Sequence, residues 1–323
     1  MSLNKKMFPL ASAASPSFNI LTWTGNGGER SLTGLGFQPD WVIIRKRDTS
    51  DNTYHYNSTS GAALRYQLNG SATVTSYSTS YFKSFDADGF SVYGEHNTSS
   101  NSFVAWCWKF TGGTTSTDTN CATDSSVQVN DDFNMSLIQT DDNLGSPGTF
   151  GHGLSTTPTF SFLREYPGGG SEVTYCYTTA FDGSHDGFSL SGSPSVFSTS
   201  LAAPTSTCLE GGAYKSYTAW SFANSDICKI GTYTGTGSSG LSVTTGFATN
   251  FVMVKASGRY TAVFDSVRGG NKRLYWSLDS SESDSSTHWG IVFGSTGFTI
   301  NGTNSQINHN GDTYVYLAFS INT

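Results

Sequence analysis

Hydrophobic and polar positions along this chain change over with a period of two, in short runs broken by glycine. In one such run Phe160, Phe162 and Arg164 fall on one side of an extended segment, while Ser161 and Leu163 fall on the other. Residues 41–45 and 251–255 form short β-branched and aromatic runs bounded by Gly, Pro, Asn and Asp. No long window carries a helical period free of Gly or Thr runs, and Ala62-Ala63-Leu64 amounts to one turn at most. The pattern predicts an all-β protein built of tandem antiparallel β-sandwich-like modules.

The runs recur in order. Ile20-Leu21-Thr22-Trp23-Thr24-Gly25-Asn26-Gly27 returns as Ile230-Gly231-Thr232-Tyr233-Thr234-Gly235-Thr236-Gly237. The segment 34–45, from Gly34 to Arg45, is echoed at 245–255 and more loosely at 151–164. Gly-Phe followed by Ser or Thr and an aliphatic residue occurs at Gly89-Phe90, Gly187-Phe188 and Gly297-Phe298. Aromatic strands at 103–108, 217–222 and 314–319 close the copies. These landmarks divide the chain into an N-terminal arm (1–17), a first module (18–110), a linker rich in Thr, Ser and Asp (111–132), a diverged second module (133–223) and a third (228–323). A threefold repeat suits either pseudo-threefold packing of the modules or a true trimer.

Composition sharpens this picture. The 323 residues include 36 Gly, 22 Phe, 16 Tyr and 7 Trp, but only 13% are charged, about half the usual fraction of roughly 25%. Such aromatic content is at odds with disorder. A net charge of −7 with scattered basic residues argues against nucleic-acid binding. The densest basic run, Arg45-Lys46-Arg47, reads as the solvent end of a strand. Five widely spaced cysteines supply neither a metal-binding pair nor a full disulfide framework, which favours synthesis in a reducing compartment. Cys107, within an aromatic run, reads as a small buried hydrophobe, and Cys208 and Cys228 pair only if the fold brings them together. The apolar stretch near the N-terminus is too short for a secretory signal or a membrane span.

Candidate chemistry is sparse. The six histidines lie far apart, none in metal-ligand spacing, and no nucleophile elbow, zinc-protease or phosphate-loop motif is present. Asp86 and Asp88, and Asp182 and Asp186, resemble fragments of a calcium loop, but carboxylates capping turns explain them better. No carboxylate pair stands out as glycosidase acids. The expectation is therefore no enzyme activity, no metal and no cofactor. Aromatic clusters are the stronger candidates: Tyr54, His55 and Tyr56, with Trp276 and Trp289, suit glycan contact, a subunit interface or internal packing. Met7, Phe8 and Leu10 suit an assembly arm.

Together the 22–27 and 34–42 motifs, Val263-Phe264-Asp265-Ser266-Val267-Arg268-Gly269, Asp88-Gly89-Phe90 and Val104-Ala105-Trp106-Cys107-Trp108-Lys109 resemble an uncharacterised repeat. It occurs in tail-fibre-like and other virion-associated proteins of tailed bacteriophages, many from marine and cyanobacterial hosts. The resemblance covers the first module well, the third moderately and the second least. It implies a virion structural protein, a decoration or tail-fibre-like component made in the bacterial cytoplasm, whose partners are capsid or tail proteins and further copies of itself, as in a trimer. It carries no established catalytic residue. An adhesin for host surface glycans is the alternative, and a secreted carbohydrate-active enzyme the third.

Overall fold

A computed structural model describes residues 16–321 apart from 72–74, 77–78, 141, 147, 167–171 and 193. The first copy supplies β1 (Phe18–Thr24), β2 (Arg30–Thr33), β3 (Trp41–Lys46), β4 (Thr53–Asn57), β5 (Leu64–Gln67), β6 (Thr75–Ser76), β7 (Phe82–Asp86), β8 (Gly89–Val92) and β9 (Ser102–Trp108). The second supplies β10 (Ser116–Asp118), β11 (Ser125–Asn130), β12 (Met135–Thr140), β13 (Thr149–Gly151), β14 (Phe160–Tyr166), β15 (Thr174–Thr178), β16 (Asp186–Ser189), β17 (Val196–Ser198), β18 (Cys208–Glu210) and β19 (Ser216–Phe222). The third supplies β20 (Cys228–Thr234), β21 (Leu241–Thr244), β22 (Phe251–Lys255), β23 (Ala262–Asp265), β24 (Lys272–Tyr275), β25 (Ser283–Asp284), β26 (Ile291–Phe293), β27 (Gly297–Ile300) and β28 (Thr313–Phe319).

Each copy is a large antiparallel sheet backed by a small one. The large sheets run β1-β9-β3-β4-β5-β6, β10-β11-β12-β19-β14-β15-β16-β17 and β20-β28-β22-β23-β24-β25; the small ones are β2-β8-β7, β13-β18 and β21-β27-β26. The all-β sandwich expectation holds. The stretch expected as a linker carries β10 and β11, which widen the second large sheet. The Gly187-Phe188 landmark is also corrected. Gly89 and Gly297 open outer strands paired to β2 and β21, whereas Gly187 lies in the large sheet, paired to β15. The true counterpart of β8 and β27 is β18, which pairs β13.

The glycine-rich turn after the first strand repeats because its geometry repeats. A Cβ on Gly25 would lie 2.1 Å from the Thr98 carbonyl oxygen, and one on Gly235 2.2 Å from that of His309. Gly27 and Gly237 have φ of 81° and 67°, which suits glycine. A buried asparagine pins each turn: Asn97 donates to Gly28 O at 2.7 Å, and Asn308 donates to Ser238 O at 2.8 Å.

Both faces of each large sheet are buried. The outer faces pack under the small sheets as three separate cores. The inner faces meet in one shared core that draws on all three copies. Registers make Trp41, Phe160 and Phe251 equivalent, then Ile43, Phe162 and Met253, and then Arg45, Arg164 and Lys255. Around this centre the rings close a circuit. Trp41 meets Trp220 at 4.9 Å, Phe162 meets Trp276 at 6.2 Å, and Trp276 meets Trp106 at 5.6 Å. The pseudo-threefold alternative is thus realised within one chain, and these aromatic faces meet sister modules.

The three cations of the last layer are all fully buried. Each donates to a backbone carbonyl of a neighbouring module, in cyclic order: Arg45 to Ser280 O at 2.5 Å, Arg164 to Gln67 O at 2.8 Å and Lys255 to Pro194 O at 2.6 Å. Arg164 also lies over the Tyr66 ring and Lys255 over the equivalent Phe188 ring. Burial lowers the pKa of Arg45 and of Arg164 to about 10 and that of Lys255 to about 8. Arg45 is therefore no solvent end of a strand. It is held in by β3 being buried on both faces, while Lys46 pairs with Asp51 and Arg47 with Glu282.

The junction of the first and third modules carries a further network. Asp265 accepts from Trp106 Nε1 at 3.0 Å and from Arg268 Nε at 2.6 Å. Arg268 and Arg47 both pair with Glu282 at 2.9 and 2.8 Å. The segment 263–269 is thus a clasp on the first module. Cys121 and Cys208 form a disulfide, and Cys107, Cys176 and Cys228 are buried and free. The one bridge is short of a full disulfide framework, and the conditional Cys208–Cys228 pairing is not made, since Cys228 begins β20 inside the shared core.

Candidate functional site

Tyr54, His55 and Tyr56 sit in β4, every residue of which is buried. Arg65 covers the Tyr54 ring at 4.1 Å. His55 accepts from Trp41 Nε1 at 3.2 Å and packs on Trp220 of the second module. Tyr56 stacks on Phe82 and shares a 2.8 Å hydrogen bond with His96 Nε2. Burial lowers the pKa of both histidines, that of His96 to about 3. Trp276 belongs to the shared core, and Trp289 lies under the Arg273 guanidinium and donates to Ser283 Oγ. None of these five forms the exposed loop cluster that glycan contact requires; they pack within the chain. Met7, Phe8 and Leu10 lie outside the described residues.

Of the calcium-like carboxylates, Asp88 and Asp182 cap turns, while Asp86 in β7 and Asp186 in β16 bond hydroxyls of their own or an adjacent strand. Asp88 accepts from the Gly34 and Gly36 amides, Asp86 from the Ser84 and Ser91 hydroxyls, and Asp182 from the Ser184 amide. Asp186 accepts from Ser198 Oγ at 3.4 Å. Among the described residues no group of three or more His, Cys, Asp or Glu side chains is placed to hold a metal ion.

The open site lies in the diverged second module. Registers pair Tyr54 with Ile44 and Tyr175 with Leu163, so Tyr175 and Tyr177 occupy the places of Tyr54 and Tyr56 on the outer face of the sheet. In the first and third modules a third outer strand, β7 or β26, completes the small sheet. Among the described residues the second small sheet has just the strands β13 and β18, with Thr123 making a single bridge to Phe150. Where a third strand would run, Thr199, Ser200 and Leu201 form the wall of a groove of about 280 Å³. Its floor is Leu163, Tyr175 and Tyr177, the two tyrosines half-buried, and Tyr217 stands opposite. Gly187 lets the platform form, because a Cβ there would lie 2.7 Å from the Phe197 ring and 3.0 Å from that of Tyr177. At the rim Lys215 donates to Glu165, and this hydrogen bond is the main cause of a pKa above the usual lysine value. Tyr217 accepts from the Gly212 amide at 2.9 Å.

A family model described as a domain of unknown function, DUF7483, matches residues 13–322. The chain belongs to the DUF7483 family. No curated protein and no solved structure matches it. The DUF7483 match spans all three modules, as their common core demands. Within this DUF7483 chain the signal for the groove was the echo of Thr53-Tyr54-His55-Tyr56 in Thr174-Tyr175-Cys176-Tyr177. Sequence reasoning stopped at the first copy and missed the second, the one that is open.

Proposed function

We propose that the chain is a structural component of a bacteriophage particle, a decoration or tail-fibre-like protein on the virion surface and not an enzyme. One observation carries this reading: several of its scarce charged side chains are buried where modules meet and hold them together. Arg45, Arg164 and Lys255 tie each module to a neighbour, and Asp265, Arg268, Glu282 and Arg47 clasp the first to the third. Spending buried charge on fixed geometry suits a rigid building block, since breaking one partner of such a pair typically costs about 3–5 kcal/mol. Three copies in one chain supply what a trimer of single modules would, leaving capsid or tail proteins as partners, with the 1–17 arm as the attachment. The Cys121–Cys208 bridge agrees with a particle that works outside the cell, where disulfides persist.

The test is to purify particles of the phage that encodes the chain and to search them by mass spectrometry and gold-labelled antibody. Stoichiometric presence and surface labelling are expected. Absence from washed particles, with the chain found only in the lysate, overturns the reading.

A further inference from the structure

We propose that the groove over Tyr175 and Tyr177 binds a neutral saccharide. This goes beyond the structural reading and holds whether or not the chain sits on a particle. The internal comparison is the first support. Equivalent outer-face positions are sealed in the other two copies, where Tyr56 stacks under Phe82 of β7 and Phe264 lies in the core beneath the small sheet that contains Ile291. Among the described residues, the second module alone leaves two tyrosine rings on this face partly exposed. Burying apolar surface stabilises a fold, so leaving them partly exposed forgoes stability at the least regular of the three copies.

The chemistry of the walls selects the ligand. A pyranose offers an apolar C–H face and a girdle of hydroxyls, and the groove offers the matching surfaces. Tyr175 and Tyr177, with ring centres 6.2 Å apart, give a tilted aromatic floor. Thr199, Ser200, the Glu165 carboxylate and the Lys215 ammonium surround it with donors and acceptors. Because Lys215 is paired with Glu165, the rim is neutral and presents no spare cation to a phosphate or sulfate. A volume of about 280 Å³ sits just below the range of roughly 300–1,000 Å³ for small-ligand sites, which fits one or two sugar rings. Strand addition by a peptide is disfavoured: β18 has three residues, and on its outer edge the Cys208 amide and carbonyl are already engaged by Thr205.

The experiment uses the full chain, with α- and β-linked trisaccharides of glucose, galactose and N-acetylglucosamine as probes. Binding is read by calorimetry and by tyrosine fluorescence. At least one probe is expected to bind with Kd of about 1 mM or tighter. Tyr175→Ala with Tyr177→Ala is expected to weaken it by about tenfold or more, and Tyr93→Ala, an exposed position in the first module, to leave it unchanged. Ser200→Trp fills the groove from an exposed wall position and is expected to abolish binding without touching a core residue; near-ultraviolet circular dichroism checks its fold. The proposal is overturned if no trisaccharide binds at about 10 mM, or if the folded Ser200→Trp variant binds as well as the parent. Preference for a phosphorylated sugar over its neutral parent overturns it equally.

Discussion

Two buried histidines make the stability of the chain depend on acid. His96 is neutral in the fold, with burial as the main reason and Arg65 and Lys46 adding to it, and its pKa falls to about 3; His55 shifts the same way beside Arg164. In the unfolded chain each takes up a proton near pH 6.5, which the fold refuses until far lower pH. Stability is therefore full above about pH 6.5 and falls on acidification by up to about 1.4 kcal/mol per pH unit for each histidine. Glu282 adds a loss at still lower pH. Burial works against its carboxylate, but Arg47 and Arg268 outweigh it and hold its pKa below the usual value, so its contribution is present above the unfolded carboxylate pKa and disappears as pH drops through the folded one. Guanidinium titrations at pH 7 and pH 4.5 should show a marked fall in midpoint, less steep in His96→Gln. Equal midpoints would contradict the burial of both rings.

Strands and turns were the most legible level of the sequence. The Gly-rich turn and the aromatic closing strand repeat because the same steric contacts repeat, as Gly25 and Gly235 show. Less was legible where one element takes another's place. Gly187-Phe188 copies a motif without its role, because Gly187 is small for the sake of the Phe197 and Tyr177 rings. The tyrosine platform of the groove was legible as an echo of the first copy, but its openness was not: it depends on a strand the second module lacks, and residues 199–207, with Pro204 among them, carry no pattern that announces the gap. The disulfide compensates at this same irregular place. It ties the loop between β10 and β11 to β18, across 87 residues of sequence, a closure worth about 4.6 kcal/mol in the chain-entropy account. Reduction, or Cys121→Ser, should lower the melting temperature by several degrees and raise proteolysis within 199–207 first. An unchanged melting temperature would show that the bridge is not formed in solution.

At the scale of the whole molecule, the run Trp41-Val42-Ile43-Ile44 is apolar on both faces because each face has its own core. Such a module has no independent outside. A fragment of residues 18–110 would expose Trp41, Ile43, Trp106 and Trp108 together, a larger apolar patch than soluble monomers tolerate. Light scattering should find it associated or insoluble; a monodisperse monomer with a cooperative unfolding transition would refute the shared core. The first and last long strands of the described residues meet, with Phe18 of β1 stacked on Phe319 of β28 at 5.1 Å. That contact makes the three modules a bracelet closed between β1 and β28. A bracelet of this kind can be reopened at the seam between the second and third modules, with β28 linked to β1. The operation leaves every strand of the shared core in its place.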